Sequence, residues 1–161
     1  MSAICALVAG VGLLAGLGGA GLERRGGVQL LLGSWCVAMV VAIVFPTNAA
    51  GTPAELAAQV HRYAVGWMFA VLPLAIWLLA RRCREQARWR SGAPLPAGLA
   101  ATTAVAGAAF LLSHIPIVFF GSPGFAVLGV VERVLFGMEI ALLVGGLLAV
   151  RRAAGSTDRV I

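Results

Sequence analysis

The chain has 161 residues, of which 61% are hydrophobic and only 11% are charged, with a net charge of +6. A soluble domain averages about 45–50% apolar and about 25% charged residues, so this composition argues against a compact soluble protein and a disordered chain. The three cysteines are odd in number and lack a close spacing, which argues against a disulfide scaffold and a zinc site. We therefore predict a single all-α membrane domain over residues 1–161, without a metal or other cofactor.

Five apolar stretches are each long enough to cross the hydrocarbon core of a bilayer, which takes about 20 residues of helix. They cover approximately residues 3–22, 28–45, 61–80, 98–120 and 127–150. The first stretch lacks the basic segment that precedes the apolar core of a signal peptide, and its charges follow the apolar run instead. We therefore predict an integral membrane bundle of five transmembrane helices.

The basic residues are all arginines, and their positions predict an orientation. All but two of them lie in alternate connections or in the C-terminal tail, and only Arg62 and Arg133 lie on the opposite side. Because an excess of arginine marks the cytoplasmic side, we predict an N-terminus outside and a C-terminus inside the cytoplasmic membrane. Arginines between apolar runs are typical of contacts with lipid phosphates, and no nucleic-acid-reading module is present. We expect membrane lipids as partners, and no nucleic acid.

Small residues recur at a four-residue spacing on three of the predicted helices. Such ladders allow close approach of helices in a membrane, where lipid provides no hydrophobic driving force for association. We interpret them as packing sites within the bundle, with homo-oligomerisation as the alternative. The three ladders consist of Gly12, Gly16 and Ala20, of Ala100, Ala104 and Ala108, and of Gly137, Ala141, Gly145 and Ala149.

Ionisable side chains within the hydrocarbon are costly and mark candidate functional sites. At a rise of 1.5 Å per residue, His114 lies roughly 9 Å from the outer end of the fourth predicted helix. Glu132 lies roughly 8 Å from the outer end of the fifth. These depths predict a polar pocket in the outer half of the bundle. Its candidate ligand-binding residues are Asn48, His61, Arg62, His114, Glu132 and Arg133.

Glu139 lies about 10 Å deeper than Glu132 on the same face of the last helix. No arginine lies at its depth in the sequence, and burial disfavours a charged carboxylate. We therefore expect a neutral Glu139 that faces the bundle interior and hydrogen-bonds to a neighbouring helix. Trp35 is interpreted as a packing or lipid-facing residue.

Two segments carry a family resemblance. One begins with Phe45-Pro46-Thr47-Asn48 and reaches His61 and Arg62, and the other is Gly129–Leu135, which includes Arg133. Together they resemble the bacterial membrane-protein family catalogued as domain of unknown function 998, over helices two to five. The family pattern has Phe-Pro-Thr-Asp-Pro, a histidine that opens the next helix, and Gly-Leu-x-x-Arg in the last helix. The resemblance implies an outer location for these motifs and brings no assigned reaction.

This chain departs from the family pattern in two respects. Asn48 stands where the family has an aspartate, which removes a carboxylate from the outer loop. Family members commonly have six helices, whereas five are predicted here, so we expect that this chain either lacks the first helix of the family or starts late.

Three functions fit these residues. The first is a membrane protein whose outer polar pocket binds a lipid or small amphiphile. The second is a membrane-embedded enzyme acting on a lipid or isoprenoid, with Glu139 or Glu132 as the acid and His114 as the base. The third is a protein that binds haem b through His61 and His114, which is disfavoured because His61 lies at the helix rim and His114 deeper.

Overall fold

A computed structural model describes residues 2–19, 26–47, 55–85, 94–120 and 128–155. This part of the chain forms five α-helices and contains no strands, which confirms the predicted all-α class. The helices are α1 (Ser2–Gly19), α2 (Gly27–Val44), α3 (Leu56–Glu85), α4 (Pro94–Phe120) and α5 (Leu128–Gly155). The last four are long and apolar enough to cross a membrane, and α1 is a shorter apolar helix.

The helices extend beyond several of the predicted bounds. α3 begins at Leu56 rather than near His61, and it continues to Glu85. Hydropathy delimits only the apolar run, whereas good helix formers such as alanine, leucine and arginine carry the helix beyond it. α4 begins at Pro94, where a proline fits because the first turn needs no backbone N–H donor.

The helices form a closed ring in chain order, with α1 contacting both α2 and α5. α3 also contacts α5 across the ring, so it has three neighbours. One apolar core joins α1, α2, α3 and α5 and reaches α4 at Ala100, and it contains Leu13, Trp35, Ile76 and Leu142, all fully buried. A smaller cluster lies between α3, α4 and α5 and includes Phe69, Phe110 and Leu135.

The small-residue ladders are not the places of closest approach. Apart from the backbone of the same helix, no atom of the described residues lies within 4 Å of a Cβ placed at Gly12, Gly137 or Gly145. Ala141 and both Ala104 and Ala108 are exposed, whereas Ala100 and Ala149 are buried. A Cβ at Gly16 would lie 3.4 Å from Val150 on α5, so each ladder has some members packed inside the bundle and others on its outer surface. Homo-oligomerisation through the exposed members stays a prediction. Ala20 lies outside the described residues.

Three other glycines permit the close contacts. A Cβ at Gly10 would lie 2.7 Å from Cζ3 of Trp35, and one at Gly107 would lie 3.1 Å from the backbone oxygen of Phe69. A Cβ at Gly146 would lie 3.1 Å from a methyl group of Leu13. These contacts join α1 to α2, α4 to α3, and α5 to α1.

The orientation stays a prediction, and two exposed glutamates allow a direct test. Glu55 precedes α3 at the predicted outer end, and Glu85 ends α3 at the predicted inner end. In a variant without native cysteines, Glu55→Cys should react with a membrane-impermeant maleimide in intact cells. Glu85→Cys should react only after lysis, and the reverse pattern would invert the topology. Native Cys83 is unsuitable because it is buried.

Candidate functional site

A carboxyl group lies in the centre of the helix bundle. Glu139 on α5 is fully buried, with 0% of its surface exposed, and its Oε2 accepts a hydrogen bond of 3.3 Å from Nε1 of Trp35 on α2. Because the backbones of α2 and α5 do not contact each other, the two side chains meet across the interior of the ring. The prediction that Glu139 faces the interior and hydrogen-bonds to another helix is confirmed.

Trp35 is the partner that sequence reasoning missed. The indole is fully buried in the apolar core, so Trp35 is a packing residue and does not face lipid. Depth gives a signal for the pairing: Trp35 lies about 14 Å from the end of α2 at Val44, and Glu139 about 16 Å from the start of α5 at Leu128. Both ends lie on the same side of the bundle, so the two residues are nearly level.

Gly10 on α1 makes room for this indole. Besides Cζ3, the Cε3 atom of Trp35 and the Sγ atom of Cys36 would both lie 3.2 Å from a Cβ at Gly10. A side chain at this position would therefore displace the ring that donates to Glu139. The hydrogen bond thus depends on residues of three helices.

The second carboxyl oxygen of Glu139 has no protein partner. Oε1 is buried, and none of the described residues forms a hydrogen bond with it. Buried polar atoms without a partner are rare in folded proteins because each costs its full desolvation free energy. This oxygen is therefore available to a small hydrogen-bonding ligand.

His61, near the start of α3, contacts the C-terminal end of α2. Its Nδ1 lies 2.9 Å from the backbone oxygen of Ala42 and 2.8 Å from that of Phe45. Carbonyl oxygens only accept, so Nδ1 carries the proton and donates to both. The last carbonyls of a helix have no partner within it, and His61 supplies one for α2.

Replacing His61 with alanine should lower the free energy of unfolding by about 1 kcal/mol, because the end of α2 loses these hydrogen bonds. Arg62 is the matched control, since it is adjacent, exposed and without a hydrogen-bond partner among the described residues. Thermal unfolding in detergent should show a lower Tm for His61→Ala and an unchanged Tm for Arg62→Ala. Equal changes in both variants would contradict the capping role.

His114 on α4 is half-buried and bound to its own helix. Its Nδ1 donates to the backbone oxygen of Phe110, 2.8 Å away, and its ring lies 4.1 Å from the Phe110 ring between centroids. Phe110 in turn makes an edge-to-face contact with Phe69 on α3. His114 therefore belongs to the smaller apolar cluster, whereas Glu139 contacts Trp35 of the larger one.

Glu132 and Arg133 lie on an open surface rather than in a pocket. Every residue from Gly129 to Val134 is exposed, and neither charged side chain has a hydrogen bond or ion pair within the described part of the chain. Glu132 and Glu139 were predicted to share one helix face. The neighbouring helices cover that face at the depth of Glu139 and leave it open near the start of α5.

The predicted outer pocket is only partly assembled by the described residues. His61 contacts α2, His114 contacts Phe110 of its own helix, and Glu132 and Arg133 are exposed, with no hydrogen bond or ion pair joining any two of these four. Arg62 is exposed on α3. Asn48 lies outside the described residues.

The geometry also bears on the haem and metal alternatives. α3 begins at Leu56, so His61 lies about 8 Å from the start of its own helix. Its contacts with the backbone oxygens of Ala42 and Phe45 place it level with the end of α2, and its depth relative to His114 stays a prediction. The two imidazoles bind different partners, His61 the end of α2 and His114 only Phe110 of its own helix, and no described contact brings them together. The described residues contain no group of three metal-ligating side chains.

The described residues form five helices, four of them long and apolar enough to span a bilayer, with a carboxyl group enclosed among them, and this defines a multi-pass α-helical membrane protein. The family model described as protein of unknown function (DUF998) matches residues 1–150, and the chain belongs to this family. The match includes α1 and so extends beyond the segments that carried the resemblance. No curated protein and no solved structure matched the chain.

Proposed function

We propose that this protein binds the polar headgroup of a membrane lipid or small amphiphile at the outer end of α5, in the cytoplasmic membrane. The observation that carries the proposal is the exposure of Glu132 and Arg133 at the start of a membrane-spanning helix, without a partner among the described residues. Unpaired charges at such a position are costly unless they reach the interface.

The depth of the two residues suits a headgroup. Glu132 lies about 6 Å and Arg133 about 8 Å from the start of α5. The long arginine side chain can extend outward along the helix and place its guanidinium at the level of the lipid phosphates. A guanidinium binds phosphate with two parallel hydrogen bonds, and a carboxylate accepts from an ammonium or hydroxyl group.

The apolar surroundings suit the acyl chains of the same lipid. Val130 is 58% exposed and Val134 57% exposed, so they flank the charged pair with open apolar surface. Arg62 is exposed near the predicted outer end of α3, and we propose it as a second cation for an anionic headgroup. In both His61 and His114, Nδ1 contacts a backbone oxygen, so Nε2 is the ring nitrogen that can bind a ligand.

Native mass spectrometry with added phosphatidylglycerol tests this proposal. Arg133→Gln should weaken the tightest lipid adduct by about tenfold, the loss expected for one charge-assisted pair of about 1.5 kcal/mol. Arg151→Gln is the matched control, because it removes the same charge from an exposed position near the opposite end of α5. Equal effects of the two variants, or none, would contradict a defined site at Arg133.

The membrane-enzyme alternative needs an acid and a base that act on one substrate. Glu139 is enclosed in the bundle, Glu132 is exposed, and no hydrogen bond links either carboxyl group to His114 within the described residues. The open surface at the start of α5 therefore supports headgroup binding better than acid–base chemistry.

A further inference from the structure

The enclosed carboxyl group of Glu139 is only half satisfied by the protein. Oε2 accepts from Trp35, whereas Oε1 is buried and lacks a partner among the described residues. On the same face of α5, Leu142 and Leu143 are also buried, at 0% and 1% exposure. A group that pairs with Oε1 must therefore fit within an apolar interior near mid-membrane.

The charge distribution limits the chemistry of that group. Every arginine of the described residues lies near a helix end, far from the depth of Glu139. A metal ion would need several further oxygen ligands, and the described residues contain no such cluster. A small uncharged group that forms hydrogen bonds fits this site better than a cation.

A hydroxyl group satisfies Oε1 in either protonation state of Glu139. It donates to the bare oxygen of a carboxylate, and it accepts from the O–H of a neutral carboxyl group. A water molecule and an alcohol share this chemistry. We propose that Glu139 and Trp35 form a mid-membrane site in which Oε1 binds the O–H group of a small uncharged ligand, either water or the hydroxyl of an apolar alcohol.

X-ray radiolytic labelling of the purified full-length protein in detergent tests whether the ligand at Oε1 is water. Radicals formed from a bound water oxidise the side chains next to it, so Trp35 should be oxidised although it is fully buried. Met68 is the internal control, because it is 2% exposed, lies in the same apolar core and reacts readily with hydroxyl radicals. In Glu139→Met, labelling of Trp35 should fall to the background seen at Met68.

Extraction of lipids from the same preparations, followed by mass spectrometry, tests whether the ligand at Oε1 is an alcohol. A hydroxyl-bearing lipid that co-purifies with the wild type and is lost from Glu139→Met would place an alcohol at Oε1. Glu139→Gln keeps the shape and polarity of the side chain and should retain either ligand, which separates loss of the site from loss of the fold.

Three results would overturn the proposal. In the first, Trp35 of the wild-type protein is labelled no more than Met68, and no hydroxyl-bearing lipid co-purifies. This result does not depend on the variants. The second is labelling of Trp35 that persists unchanged in Glu139→Met. The third is wild-type protein in which Trp35 is labelled no more than Met68 and the only extracted alcohol is equally abundant in Glu139→Met. Because the lipid assay at Arg133 reports on another end of the molecule, failure here leaves the headgroup proposal separately testable.

Discussion

Replacing Glu139 with methionine should lower the free energy of unfolding by about 1–3 kcal/mol, because the buried Nε1 of Trp35 then loses its acceptor. Glu139→Gln should cost less than about 1 kcal/mol, since an amide oxygen can accept the same hydrogen bond. Denaturant-induced unfolding in detergent micelles measures both values. If the glutamine variant loses as much stability as the methionine variant, the stability depends on an ionised carboxylate, and our expectation of a neutral Glu139 is wrong.

A double-mutant cycle with Trp35→Phe isolates the contact between the two side chains. Trp35→Phe leaves the carboxyl group without its donor, whereas Trp35→Phe combined with Glu139→Met leaves neither an unpaired donor nor an unpaired carboxyl group. The double variant should therefore be more stable than the sum of the single losses predicts, by about 1 kcal/mol. Additive losses would show that the hydrogen bond of 3.3 Å contributes nothing to stability.

Gly10→Ala should destabilise the bundle by about 1–3 kcal/mol, which is typical of overpacking a close-packed core. The new Cβ would lie 2.7 Å from Cζ3 of Trp35, and the fully buried indole has to move to accept it. Gly12→Ala is the matched control on the same helix, because nothing lies within 4 Å of its Cβ position. Its Tm should stay unchanged or rise, since alanine favours a helix over glycine by about 1 kcal/mol.

The cause of the Gly10→Ala effect can be tested by making the indole smaller. Trp35→Phe removes the Cζ3 atom that the new methyl group would meet. Gly10→Ala should therefore cost less in a Trp35→Phe background than in the wild type. An equal cost in both backgrounds would assign the loss to another contact of α1, such as the one with Cys36.

The amino-acid sequence predicted the five helices because bilayer-length apolar runs separated by charges and turn residues are a strong signal. The bounds agree within a few residues for α1 and α2 and differ more for α3, where polar residues continue the helix as far as Glu85. The interior position of Glu139 also followed from sequence, since a carboxyl group near mid-membrane is costly against lipid.

Which residues contact one another was decided by the tertiary structure alone. In a soluble helix, polar residues mark the outer face, but lipid is as apolar as a protein core, so both faces of a membrane helix have similar side chains. Sequence therefore could not distinguish the packed Gly10 and Gly146 from the open Gly12 and Gly145. For the same reason it did not reveal the pairing of Trp35 with Glu139, which requires that α2 and α5 face each other across the ring.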